Sequence, residues 1–132
     1  MQTRNIPVAD AGPTVGDVML RDPRAVAPET TVAEARTTFE NPRVRLLLVA
    51  RGERFLGAVT RDDVGPEVGD EVTLGEVAGT DAPLVRPADP VGRAVELLDA
   101  EQTDRLPVVD GDGTLLGLVC FNRRQGHFCV DA

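Results

Sequence analysis

The sequence contains no lysine, no tyrosine and no tryptophan, and all 14 of its basic residues are arginine. Without lysine, the chain lacks the phosphate-binding loop that ends in Gly-Lys-Ser or Gly-Lys-Thr. Its 22 acidic residues give a net charge of −8, so it also lacks the basic surface on which non-specific nucleic-acid binding depends. No apolar run approaches the ~20 residues of a membrane-spanning helix. We therefore expect neither a nucleic acid nor a membrane among its partners.

Cysteine is also scarce, since Cys120 and Cys129 are the two in the chain. Secreted domains held together by disulfides carry more cysteines in a shorter chain, so we expect free thiols in a reducing compartment. The first residues lack the apolar segment of a signal peptide, and we expect a soluble, cytoplasmic protein. The 132 residues are 42% hydrophobic, which suits one compact domain or two small fused subdomains with a core of Val, Leu and Ala.

The chain repeats itself once. A shift of 59 residues superimposes apolar, glycine and proline positions of the two halves, and the shift becomes 60 near Gly113. The matched pairs include Thr14 and Thr73, Gly16 and Gly75, Pro28 and Pro87, Ala35 and Ala94, Leu47 and Leu106, Gly57 and Gly117, and Val59 and Val119. A change of one residue inside a Gly/Asp-rich turn is what variation in a hairpin loop produces. Because half a chain of this size is marginally stable alone, we expect the copies to pack together.

Each half predicts the same order of elements. A short helical lead-in precedes an extended segment that ends at a proline. The next helix begins with a Thr31-x-x-Glu34 capping box in the first half, and with Asp89 as N-cap and Pro90 as first helical residue in the second. Two Val/Leu-rich runs around a Gly-containing turn then predict a hairpin, and "RDDVGPEV" after the first hairpin predicts a short helix. The repeated unit is therefore β-α-β-β-α, in a mixed α/β (α+β) fold.

This arrangement resembles the CBS (cystathionine β-synthase) domain family in its tandem-pair form. The segments "VGDVMLRDPRAVAPETTVAEA", "FLGAVTRDDV" and "DRLPVVDGDGTLLGLV" carry the resemblance, which extends over residues 14–121. It implies two CBS repeats, residues 14–68 and 69–124, packed with pseudo-twofold symmetry between an N-terminal segment 1–13 and a C-terminal tail 125–132. It also implies a regulatory protein rather than an enzyme, which dimerises and binds AMP, ADP, ATP or S-adenosylmethionine as a regulatory ligand, with no obligatory cofactor.

The segment GAVTRDD at residues 57–63 matches the family's ribose-phosphate motif, Gly-x-x-Thr/Ser-x-x-Asp. The resemblance implies that Gly57 lets a ligand approach the strand end closely. It implies that Thr60 and Arg61 meet the phosphate, and that Asp63 accepts hydrogen bonds from the ribose hydroxyls. The same Thr60-x-x-Asp63 spacing is close to that of a helix capping box, and an open helix N-terminus serves either purpose.

Further ligand contacts implied by the resemblance lie beside the strands that carry adenine recognition in the family. Their candidates are Arg45, Leu47 and Pro107. Core packing for the apolar pair and a surface role for the arginine are alternative interpretations. In the second copy of the motif Gly117 remains, but Cys120 stands where Thr60 stood.

The second copy departs from the motif at one further position, because Arg123 replaces the equivalent of Asp63. A guanidinium cannot accept the ribose hydrogen bonds, so we expect one competent site and one degenerate site. Nearby, His127, Cys129 and Asp131 alternate and would share one face of a strand. Their spacing matches no closed zinc pattern, so we expect no metal site and no catalytic residue.

The leading hypothesis is a regulatory module that binds an adenosine nucleotide and acts through dimer geometry or through contacts with an unidentified effector protein. The alternative is a homodimeric protein-interaction module whose sites are vestigial. The intact Thr60/Asp63 pair favours the first hypothesis, and the degenerate second copy favours the alternative.

Overall fold

A computed structural model of the chain describes residues 3–7, 14–21, 23–79 and 82–131. In chain order the elements are β1 Thr3–Pro7, α1 Val15–Val18, β2 Leu20–Arg21, β3 Ala25–Val26, α2 Val32–Phe39, β4 Leu46–Arg51, β5 Arg54–Thr60, a 3₁₀ helix Arg61–Val64, α3 Leu74–Val77, α4 Val91–Glu101, β6 Arg105–Val109, β7 Leu115–Asn122 and β8 His127–Asp131. The chain divides into two compact units. The central unit is Arg24–Ala82, and the terminal unit consists of Met1–Pro23 together with Pro83–Ala132.

The central unit contains a three-stranded sheet packed against α2. β3 runs parallel to β4, and β4 runs antiparallel to β5. At the start of α2, the Thr31 hydroxyl accepts the Glu34 N–H at 3.2 Å and the Glu34 carboxylate accepts the Thr31 N–H at 3.0 Å. These two bonds confirm the predicted capping box. The buried core consists of Val32, Ala35, Phe39, Val49, Val59, Val64 and Leu74.

The terminal unit contains a five-stranded sheet in which β7 pairs with β6, β2 and β8, and β8 pairs in turn with β1, all antiparallel. β8 lies within the segment that the sequence treats as a C-terminal tail. Its Phe128 is fully buried, and the ring lies 5.1 Å from that of Phe121, centroid to centroid. Aromatic burial of this kind makes β8 part of the core rather than an appendage. The other core residues are Val15, Val18, Val85, Val91, Ala94, Leu98, Leu106, Val108 and Val119.

The short helices are exchanged between the sequence repeats. α1 opens the first repeat but belongs to the terminal unit, where the Gly16 N–H donates to the Pro87 carbonyl at 2.9 Å. α3 opens the second repeat but belongs to the central unit, where the Gly75 N–H donates to the Pro28 carbonyl at 2.9 Å. Both partners of the second bond follow from the first by the 59-residue shift. Each unit therefore follows the same plan and draws chain from both repeats.

The start of α4 differs from the prediction by one residue. Pro90, not Asp89, is the N-cap, because its backbone is extended at φ −62° and ψ 146°. The Asp89 carboxylate instead accepts the Arg86 N–H at 2.9 Å, which closes the turn before the helix. The assignment of Asp89 as N-cap was wrong because this local turn competes for the same side chain.

Candidate functional site

The central unit brings Thr60 and Asp63 together where β5 ends and the 3₁₀ helix begins. The backbone N–H of Thr60 donates to Asp63 Oδ2 at 2.8 Å, and the Thr60 hydroxyl donates to the same oxygen at 3.0 Å. Both side chains are exposed. The other carboxylate oxygen of Asp63, Oδ1, accepts no hydrogen bond from any residue that the structure describes. The motif thus offers one hydrogen-bond acceptor to a ligand.

The same bonding recurs at the two short helices that lie outside the motif. Thr14 donates to Asp17 through its N–H at 3.0 Å and through its hydroxyl at 2.9 Å. Thr73 donates to Glu76 in the same way, at 2.9 and 3.0 Å. Backbone and then side-chain hydrogen bonds from these threonines lower the pKa of Asp17 and of Glu76. Helix capping is therefore a property that the Thr60/Asp63 pair shares with its neighbours in the chain.

Gly57 lies at the point of close approach that the motif predicts, but the group that approaches is the protein's own backbone. Its φ is +156°, and a Cβ placed on it would lie 2.8 Å from the carbonyl oxygen of Gly79 and 3.0 Å from the Cβ of Ala78. Gly117 has the equivalent environment in the terminal unit, where a Cβ would lie 2.7 Å from the Leu20 carbonyl oxygen. Each unit needs this glycine because the segment after its short helix packs on the strand.

Arg61 is held by the end of α2. Its guanidinium donates to the carbonyl of Phe39 and, at 3.0 Å, to the carbonyl of Val44, and it lies 5.1 Å from the centroid of the Phe39 ring. The carbonyls at a helix C-terminus carry partial negative charge and lack helical partners, so a guanidinium stabilises them. In this arrangement Arg61 caps a helix.

Arg123 makes the corresponding contacts in the terminal unit, which the sequence did not reveal. It donates to the carbonyl of Leu98 at 2.6 Å and to the carbonyl of Thr103 at 3.3 Å. These acceptors follow from Phe39 and Val44 by the 59-residue shift. The alignment of the two halves sets Arg123 against Asp63, whereas its contacts make it the counterpart of Arg61.

The remaining predicted ligand contacts are spread over both units. Leu47 is half-buried on β4 opposite Val59 and packs against the central core. Arg45 immediately precedes β4 and is exposed, and its side chain forms no hydrogen bond or ion pair within the described parts of the chain. Pro107 lies in the terminal unit, where it is buried in β6 opposite Leu118.

The terminal unit has no helix where the motif would need one. Cys120 lies opposite Arg105 in the sheet, as Thr60 lies opposite Leu46, and the sequence shift relates both pairs. β5 ends at Thr60, whereas β7 continues past Cys120 to Asn122 and turns into β8. The amides after Cys120 therefore belong to a strand and a turn rather than to the start of a helix.

The alternating residues of β8 form no evident metal site. No cluster of three or more His, Cys, Asp or Glu side chains suited to a metal ion occurs among the residues that the structure describes. Within the same residues, no helix is long and apolar enough to cross a membrane.

Comparison with known proteins places this architecture. The family model for the CBS domain matches residues 15–64 and 74–121, about three quarters of the chain. The chain therefore belongs to the CBS domain family, and it carries two copies of the domain, as a CBS pair. The fold is shared with solved CBS-pair structures.

The most similar known proteins show this pair in different settings. The chain is 34% identical over 125 residues to inosine-5'-monophosphate dehydrogenase of Mycobacterium tuberculosis (strain ATCC 25618 / H37Rv), covering 88% of this chain and 23% of the enzyme. It is 28% identical over 107 residues to homoserine O-acetyltransferase of Methanohalobium evestigatum, covering 80% of this chain and 22% of that protein. It thus spans less than a quarter of these curated relatives.

A solved structure matches the chain over nearly its own full length. The crystal structure of CBSX2 in complex with AMP is 27% identical to this chain with a TM-score of 0.70, covering 83% of this chain and 90% of that one. The pair therefore occurs both as a small part of a large enzyme and as most of a small protein.

Proposed function

We propose that this protein is a regulatory module that binds an adenosine nucleotide through the motif of its central unit. The observation that carries the proposal is the exposed Thr60/Asp63 pair, in which Asp63 keeps a carboxylate oxygen without a described donor. The AMP complex of CBSX2 supports an adenosine ligand for this class of fold. No enzymatic activity is proposed, because the similarity to enzymes lies in their CBS region.

Asp63 is the ribose-binding residue in this proposal. A carboxylate accepts hydrogen bonds at both of its oxygens, and Thr60 uses only Oδ2. Ribose hydroxyls can therefore bind at Oδ1 while the capping bonds persist. Thr60 has a different constraint, because its hydroxyl proton already points to Asp63. It donates to a phosphate only after the hydroxyl rotates away.

Arg45 is the stronger phosphate candidate of the two arginines. It is exposed, it has no described partner, and it lies one residue before Leu46, which is opposite Thr60 in the sheet. Arg61 would have to release the carbonyls of Phe39 and Val44 in order to bind a phosphate. A guanidinium that is already hydrogen bonded gains less from an incoming anion. The adenine contacts of Leu47 and Pro107 rest on the family resemblance, as does a single competent site.

Regulation requires that the ligand bind two arrangements of the protein with different affinity. We propose that these arrangements concern a homodimer or the contacts with an effector protein, whose identity is not specified by the chemistry of the site. AMP, ADP, ATP and S-adenosylmethionine all contain the ribose that Asp63 would hold, so all four are candidates.

One observation favours the alternative, a homodimeric interaction module with vestigial sites. The bonds between Thr60 and Asp63 match those of Thr14 with Asp17 and of Thr73 with Glu76, within the motif and outside it. On this view the motif caps a helix and holds nothing else.

Calorimetric titration with the four candidate ligands distinguishes these functions. The decisive variant is Asp63→Ala, and Asp17→Ala is its matched control, because it removes an equivalent cap outside the motif. The proposal expects one ligand to bind near one site per chain, to lose its binding in Asp63→Ala and to retain it in Asp17→Ala. Equal losses in both variants would assign the effect to the fold. If the folded protein binds none of the four at millimolar concentration, the nucleotide function is refuted for them, and light scattering then tests the dimer.

A further inference from the structure

The two cysteines of the chain face each other across neighbouring strands of the terminal unit. Cys120 of β7 and Cys129 of β8 are directly opposed in the antiparallel register, and both are free thiols. Opposed residues of an antiparallel pair have Cα atoms about 4.5 to 5.5 Å apart. A disulfide joins Cα atoms about 4.4 to 6.8 Å apart. The backbone therefore already holds these residues at a distance that a disulfide bridge accommodates.

The side chains of the pair share one face of the sheet. Val119 and Phe121, on either side of Cys120 in sequence, belong to the apolar core of the terminal unit. Because side chains alternate along a strand, the sulfur of Cys120 lies on the face opposite to that core. Phe128 of β8 is also in the core, so Cys129 projects to the same face as Cys120. The two sulfurs interact directly, since burial first and a hydrogen bond with the Cys129 thiol second raise the pKa of Cys120 to about 12.

The two thiols differ in their access to solvent. Cys120 is buried, with 5% of its surface exposed, whereas Cys129 is half-buried. A thiolate must reach a disulfide sulfur in order to exchange with it, so access favours Cys129 as the first nucleophile. Burial also keeps Cys120 protonated, which leaves it to react second.

We propose that Cys120 and Cys129 form a reversible dithiol–disulfide site that exchanges with small-molecule disulfides. Cys129 thiolate attacks one sulfur of the small disulfide, whose S–S bond breaks and releases one thiolate while a mixed disulfide forms on Cys129. Cys120 then attacks the Cys129 sulfur, the mixed disulfide breaks, and the second small thiolate leaves and takes up the Cys120 proton. Two electrons pass from the protein dithiol to the small disulfide, which becomes two thiols.

The bridge would fix the one strand by which the terminal unit differs from the central unit. β8 contacts β7 on one side and β1 on the other, so a bond between β7 and β8 secures both outer strands. It would also sit at the position that Thr60 occupies in the central unit. The site is independent of nucleotide binding by Asp63, because it lies in the other unit.

Mass spectrometry of the reduced, native chain after incubation with oxidised glutathione tests the site. We expect a loss of about 2 Da, which is the loss of two protons and two electrons, with both cysteines protected from alkylation and no intermolecular dimer. We expect Cys120→Ser to stop at one glutathione adduct on Cys129 and Cys129→Ser to react much more slowly. A stable adduct on the native chain, a cross-linked dimer or unreacted thiols would each refute the proposal.

Thermal unfolding supplies a measurement that needs no variant. A bridge between residues nine apart closes a short loop, and we expect the oxidised chain to melt about 10 °C higher than the reduced chain. Dithiothreitol should return the melting temperature to its starting value. An oxidised chain that melts at the same or a lower temperature would mean that the strands must distort to join, which contradicts the proposed preorganisation.

Discussion

Replacing Gly57 with alanine tests whether this glycine serves the ligand or the fold. A Cβ would lie 2.8 Å from the Gly79 carbonyl oxygen and 3.0 Å from the Ala78 Cβ, and the backbone φ of +156° is one that alanine rarely adopts. Overpacking of this kind costs about 1 to 3 kcal/mol, and a disfavoured backbone conformation costs about 1 to 3 kcal/mol more. Because the neighbouring segment can shift and relieve part of both, we expect Gly57→Ala to lower the free energy of unfolding by about 2 to 4 kcal/mol.

Urea unfolding of the reduced protein measures this loss, and Gly92→Ala is the matched control. Gly92 lies inside α4, where a Cβ would meet nothing within 4 Å, so alanine should raise the free energy of unfolding by about 0.5 to 1 kcal/mol. If Gly57→Ala were as stable as the parent but no longer bound nucleotide, the packing argument would be refuted. The glycine would then be there to admit a ligand.

Two further predictions concern the terminal unit. Arg123→Gln should lower the free energy of unfolding by about 1 to 3 kcal/mol, because it leaves the carbonyls of Leu98 and Thr103 without a charged donor; the exposed Arg54→Gln, measured by the same urea titration, should change nothing. Under reducing conditions, stability should fall as the pH rises from 9.0 towards about 12, because folded Cys120 keeps a proton that the unfolded chain releases. The slope should not exceed about 1.4 kcal/mol per pH unit, and Cys120→Ala should remove it; an unchanged slope in that variant would contradict the assignment.

Local sequence patterns predicted the elements well because helix caps and hairpin turns depend on residues a few positions apart. Thr31-x-x-Glu34 forms its capping box, and the two Val/Leu-rich runs of each half form hairpins. The Thr60/Asp63 pair also meets as its spacing predicts. Periodicity and the internal repeat were enough to indicate the CBS fold.

Contacts between distant segments were beyond such patterns. The carbonyl that fills the space above Gly57 comes from Gly79, 22 residues later, and no local rule assigns it. The contacts that make Arg123 the counterpart of Arg61 depend on β7 extending two residues past the point where β5 ends. Local spacing could not show that extension, because the strand continues only by pairing with β8.

The pairing of β1 with β8 has a consequence for how this fold can be carried by larger proteins. Thr3 lies opposite Asp131, so the chain enters and leaves the terminal unit on adjacent antiparallel strands. Paired strands are about 5 Å apart, and a host protein therefore needs to open a loop by no more than that width to accept the whole pair as an insertion. Such an insertion would leave the two flanking halves of the host in register. A change at β8 would then be felt at both junctions at once.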